Sequence, residues 1–174
     1  MWPAHRITEA IMRKRQIAKA KQQVYSMLDE MMASPTEPLA TEKRQYQLLR
    51  MYEGLRALEI APEPSTEDWR VVSDAVNLME TLILEMKICE DTSGLLMDAI
   101  TAMAKAGQRN LAGGVIRLDG PGIQAVRAVL RDYAELIEVL PARTMVRCHR
   151  LTEKRILDIL HGRLRPHDVE ITRL

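Results

Sequence analysis

Apolar residues recur three and four positions apart through most of this chain, and proline, glycine or serine separates one such stretch from the next. From Ile7 to Ala33 there is no glycine or proline, and Ile7, Ile11, Ala18, Val24, Leu28, Met31 and Met32 share one broad side of a helix. The spacing predicts a helix over 5–33, stopped by Ser34-Pro35. Leu48, Met51, Tyr52, Leu55 and Leu58 predict a second over 40–60, closed by the stiff Ala61-Pro62-Glu63-Pro64 segment. Ser65 can cap a third helix, with Asp68 answering three residues on. That helix is predicted over 66–106, kinked near 92–94 at Asp91-Thr92-Ser93-Gly94. Trp69, Val72, Val76, Met79, Ile83 and Met86 form its stripe, flanked by Val71, Ala75, Leu78, Leu82 and Cys89, so half its circumference is apolar and it belongs in the centre of the molecule.

The remaining pattern is C-terminal. Residues 107–122 hold five of the eight glycines and predict a loop. Within it Val115–Leu118 reads as a short strand that residues 169–174 could pair with, a marginal two-stranded ribbon. Pro121 then opens a helix over 121–140, where Ile123, Val126, Leu130, Tyr133, Ile137 and Leu140 keep a regular seam. Pro141 turns the chain into a last helix over 142–164, with Met145, Cys148, Ile156 and Ile159 on its apolar side. So short a connection predicts an antiparallel hairpin of these two. The expectation is an all-α single domain over 1–174, a bundle of about five helices with a C-terminal hairpin. Composition agrees: Phe is absent, the aromatics are two Trp and four Tyr, and eleven Met join Leu, Ile, Val and Ala in a core suited to helices.

A formal net charge of +1 excludes both a strongly basic nucleic-acid binder and an acidic mimic of nucleic acid. The balance hides a division, because residues 66–106 carry eight acids against three bases, while 1–33 and 107–174 carry basic excesses of three and four. Cys89 and Cys148 form no disulfide framework and read as small buried hydrophobes. The N-terminus has no signal-like apolar region, and no apolar run approaches the ~18 residues of a membrane span. A cytoplasmic protein with no membrane contact is expected.

The most pointed constellation lies on the 142–164 helix. Arg143, Arg147, Arg150 and Lys154, spaced i, i+4, i+7 and i+11, form a narrow stripe opposite the apolar side, and His161 and Arg165 extend it if the helix passes Gly162. A solvated helix face explains such residues, but it usually carries alternating acids, and only Asp158 stands nearby. A stripe of one sign suits an acidic partner. Arg13, Lys14, Arg15, Lys19 and Lys21 form a second cluster, readable as a basic arm or as lysines snorkelling at a core edge.

Catalytic chemistry finds little support. The glycine-rich loop lacks both Gly-x-x-x-x-Gly-Lys and Gly-x-Gly-x-x-Gly, so turn formation and capping account for it. Asp158-x-x-His161 is a single copy of a spacing that di-iron bundles use twice with further Glu, and no Cys-x-x-Cys or His-Glu-x-x-His is present. No Gly-x-Ser-x-Gly appears either. Neither metal nor cofactor is expected, and no catalytic residue is assigned. Methionines at 27, 31, 32, 79, 86, 97 and 103 fill irregular cores or line adaptable interfaces, which leaves a homodimer open.

These readings lead to a non-enzymatic interaction or regulatory protein whose basic helix docks an acidic protein or nucleoprotein surface. In general composition the chain resembles the small helical accessory and regulatory proteins of bacteria and their mobile elements, and an inhibitor or adaptor acting on a nucleoprotein complex would fit this description. The alternative is a DNA- or RNA-binding regulator that sets the same helix against phosphates. The basic segments offer no aromatic stacking residues and no Asn or Gln on the stripe, which disfavours single-strand binding and adenine readout.

Overall fold

A computed structural model describes residues 24–163, and over that span the chain is built of α-helices. They are α1 (Met27–Met32), α2 (Thr41–Ile60), α3 (Thr66–Glu80), α4 (Leu96–Leu111), α5 (Gly120–Val139) and α6 (Ala142–Leu160). α3 runs directly into one wide π turn, Thr81–Glu85. No strand occurs among the described residues, only an isolated bridge between Pro38 and Pro141. The all-α class and bundle architecture are as the periodicity predicted.

Four details differ, each for a local reason. The first predicted helix is not continuous through Tyr25, because Ser26 caps a new one: its Oγ accepts from Asp29 N–H at 3.1 Å while Asp29 accepts from Ser26 N–H at 2.6 Å. The rest of that helix, residues 5–23, lies outside the described residues. The 66–106 helix is two helices and not one kinked rod. Lys87 adopts a left-handed φ of 52°, Gly94 one of 66°, and Asp91 Oδ2 accepts from Leu96 N–H at 3.0 Å, so the Asp-Thr-Ser-Gly run reverses the chain and starts α4 afresh. Residues 115–118 form no strand, although Ile116 and Leu118 do bury alternately, and their proposed partner 169–174 lies outside the described residues.

The fourth difference concerns the C-terminal hairpin. α5 and α6 do follow one another across Leu140-Pro141, yet α5 packs chiefly along α4, and α6 crosses to α1, α3 and the π turn. The start of α6 explains its course. Its first free N–H groups are taken by the preceding loop, Ala142 by Glu37 O at 2.8 Å and Arg143 by Ser34 O at 2.9 Å.

α3 is the centre. Val72 and Val76 are fully buried, and Trp69 fills the space toward α4 while its indole N–H donates to Met103 O at 2.9 Å. A polar seam joins α3 to α6 where the π turn begins. Thr81 and Thr152 hydroxyls meet at 2.6 Å, Cys148 Sγ donates to Leu78 O at 3.4 Å, and Arg155 pairs with Glu80 at 2.8 Å while donating to Asn77 O at 3.2 Å. The wider turn alters the α-helical bonding ladder just beyond carbonyls that α6 uses.

α2 meets α3 so closely that Gly54 has no room for a side chain. A Cβ there would stand 2.5 Å from Val71 Cγ2 and 2.8 Å from Asp68 O. Alanine gains about 1 kcal/mol of intrinsic helix propensity, but the clash with backbone outweighs it. Gly54→Ala is therefore expected to lower unfolding stability by about 1–3 kcal/mol, measured as a lower urea midpoint with an unchanged slope.

Candidate docking surfaces and a polar cavity

The cations singled out on the last helix do not remain a free stripe. Arg143 donates to Ala33 O at 3.2 Å and to Met31 O at 3.1 Å, and Arg150 pairs with Glu30. Val24 N–H adds a bond to Glu153 Oε1 at 3.0 Å. These polar contacts strap α1 across α6. Arg147 and Lys154 stay exposed and make no ion pair among the described residues. His161 leaves the stripe because the helix ends at Leu160. Gly162, with φ 71°, donates to Ile159 O at 2.9 Å, and Arg163 N–H reaches Asp158 O at 2.8 Å, a glycine-terminated cap. Asp158 is also taken by the Arg163 guanidinium at 2.6 Å, which accounts for the one acid near the stripe. Arg165 and the cluster Arg13, Lys14, Arg15, Lys19 and Lys21 lie outside the described residues.

α1 buries none of its own side chains, and Met27, Leu28, Met31 and Met32 are 58% to 78% exposed. Its methionines therefore do not serve as core filler.

A cleft of ≈870 Å³ opens between α2 and α5, beside Leu95. Leu55 and Ala128 form its buried floor, and Tyr52 and Ile60 present exposed apolar surface at its sides. Arg56, Arg127 and Arg131 rim it. Arg127 grips Glu59 with two parallel bonds of 2.7 and 2.9 Å. Arg56 has no ion pair among the described residues, and the nearest carboxylate to Arg131 is its neighbour Asp132 at 3.9 Å. Asp132 in turn accepts from Thr92 at 3.2 Å. Sequence reading passed over these arginines. Gln124, Arg127 and Arg131 do recur at helical spacing on the side of α5 away from its seam, but only the fold brings Arg56 opposite them.

A second cavity, ≈290 Å³, is framed by α2, α3, α5 and α6. At its mouth Arg70 is forked onto Glu67 at 2.9 and 2.8 Å, and Arg50 lies 3.3 Å from Glu53 and 3.9 Å from Glu67. Asp74 remains reachable from solvent, yet its carboxyl is crowded by protein and accepts no hydrogen bond among the described residues. That desolvation pushes its pKa up to about 6, against the opposing pull of Arg70. Deeper in, the His149 ring is tilted against Tyr25 with centroids 5.2 Å apart, and the Lys43 ammonium sits 4.5 Å above the Tyr25 ring. Burial, helped by Lys43, lowers the His149 pKa to about 4. Tyr25 Oη, Gln47 Oε1, His149 Nε2 and Glu153 Oε2 are shut off from solvent with no hydrogen-bond partner among the described residues. Burial also holds the Cys148 thiol up at about 12, so it is an inert structural group.

No helix among the described residues is long and apolar enough to cross a membrane. The chain matches no protein-family model, no curated protein and no solved structure.

His149 and Asp74 oppose each other as pH falls. His149, depressed in the folded state, contributes stability above about 6.5 that is lost as pH falls toward about 4. Asp74, raised in the folded state, contributes stability present below 3.8 and lost as pH rises through about 6. Melting temperatures between pH 7 and pH 4 should therefore fall more steeply in Asp74→Asn than in wild type. In His149→Gln the fall should be shallower than in wild type.

Proposed function

We propose that this is a non-enzymatic interaction protein, an adaptor or inhibitor, that takes an acidic amphipathic helix of a partner protein into the groove between α2 and α5. One observation carries the reading: a concave surface combines an apolar floor with guanidinium groups that carboxylates among the described residues leave largely unanswered. A helix laid there would place apolar side chains at i, i+3, i+4 and i+7 over Leu55 and Ala128, and its flanking acids against Arg56 and Arg131. Arg127 can exchange Glu59 for a partner carboxylate without leaving its place on α5. The α6 face fits less well, since Arg143 and Arg150 are already engaged with α1.

A protein partner is favoured over nucleic acid because the full chain carries a formal net charge of only +1. A phosphate backbone meets little net attraction from such a chain. We place its action in the cytoplasm, where two free cysteines, one of them buried, need no oxidising compartment.

The test is fluorescence anisotropy with a labelled helical peptide, leucines on one face and glutamates on the other. It should bind, weaken as salt rises, and lose about tenfold or more in affinity, about 1.4 kcal/mol, against the double variant Arg56→Glu/Arg131→Glu. A lysine-faced analogue should not bind, and Arg147→Glu/Lys154→Glu should bind as wild type does. Loss of binding in the α6 double variant instead would return the site to that helix, and tighter binding of duplex DNA than of the peptide would return the nucleic-acid reading.

A further inference from the structure

The groove leaves the polar cavity behind it unused. Its lining is uneven in one respect. The two cations at the mouth, Arg50 and Arg70, are both engaged by carboxylates, whereas among the described residues the acceptors are not: Asp74, open to solvent, has no donor, and Gln47 Oε1 is buried without one. His149 Nε2 is likewise unpaired, and the ring is neutral, so it can accept. Buried polar atoms without partners are uncommon in folded proteins and call for an explanation such as a missing bound group. Gln47 and His149 both line the cavity, and each acceptor, closed to solvent as it stands, would have to turn toward an occupant. Such an occupant must supply N–H or O–H donors, and beside an unpaired carboxylate it should be positively charged. Tyr46 and Tyr133 add aromatic surface that suits a cation, and Met51, Val71 and Leu78 add apolar wall.

We infer that this cavity binds a small free primary amine, whose ammonium group donates to Asp74, Gln47 and His149 and whose short hydrocarbon chain lies along Met51, Val71 and Leu78. A primary ammonium has three donors and no acceptor, which matches three acceptors lacking partners. A quaternary ammonium has the charge without the donors, and a carboxylate has neither. The inference is independent of the groove, since its residues lie on other faces of α2 and α5.

The test is titration of the ¹⁵N-labelled full chain with n-hexylammonium near neutral pH, followed by amide shifts. Saturable shifts centred on Gln47, Asp74 and His149 are expected, with much weaker binding of hexyltrimethylammonium and none of hexanoate. Asp74→Asn, close to isosteric, and Gln47→Leu should each weaken binding about tenfold, about 1.4 kcal/mol, while thermal melts show both variants folded. Nα-acetyl-lysine N-methylamide separates two sources of the same head group: weaker binding than hexylammonium assigns a free amine, and equal binding assigns a lysine side chain. The inference is overturned if hexylammonium fails to saturate, which leaves the cavity to water. It is also overturned if hexanoate or the quaternary ion binds as well, or if folded Asp74→Asn binds unchanged.

Discussion

α3 is enclosed by α2, α4, α5 and α6, so the polar groups it buries must find partners inside the protein or leave a fault in the packing. Most find one. The indole of Trp69 reaches Met103 O, Thr81 meets Thr152, and Glu80 and Asn77 O both meet Arg155. Replacing one member of such a seam strands the other, and for a buried charge that penalty is larger than for a neutral group. Asp74 on the same helix keeps access to solvent and finds no hydrogen-bond partner among the described residues, and it lines the cavity.

A comparable division governs the surface. Cations among the described residues are mostly met by acids or carbonyls there: Arg44 by Glu138, Arg127 by Glu59, Arg150 by Glu30, Arg163 by Asp158. Where such pairs are exposed they add little stability, with typical values of about 0–1 kcal/mol. Their larger effect is to decide where positive potential remains. Among the described residues it remains at Lys87 and Lys105, at Arg147 and Lys154 on the outer face of α6, and at Arg56 and Arg131 beside an apolar concavity. Concave apolar surface with charged rims is the form that helix recognition commonly takes, which is why the proposal rests on the groove.

Much of the fold was legible because helical period and punctuation act locally. Ser65 and Asp68 cap α3 in the sequence and in the structure, Asp119 caps α5 at 2.8 Å, and the seam residues Val126, Leu130, Tyr133 and Ile137 are buried. What escaped was tertiary. The spacing of Arg143 and Arg150 is correct on the helix, but nothing local announces that Glu30 and the carbonyls of Met31 and Ala33 would meet them. Asp91 to Gly94 read as a kink because the apolar pattern resumes in phase, whereas two left-handed residues, Lys87 and Gly94, turn the chain. The groove draws on two helices and Leu95, the cavity on four helices, and no single stretch carries their signature.

The central claim is that unanswered arginines over an apolar floor, and not the outer face of α6, receive an acidic helix. The most direct measurement is transferred cross-saturation from a protonated glutamate-faced helix to the deuterated, amide-protonated protein, which reports physical contact residue by residue. The account predicts intensity loss at Tyr52, Arg56, Ile60, Leu95, Gln124 and Arg131. Loss confined to Arg147, Lys154 and their neighbours, with the groove amides untouched, would contradict it.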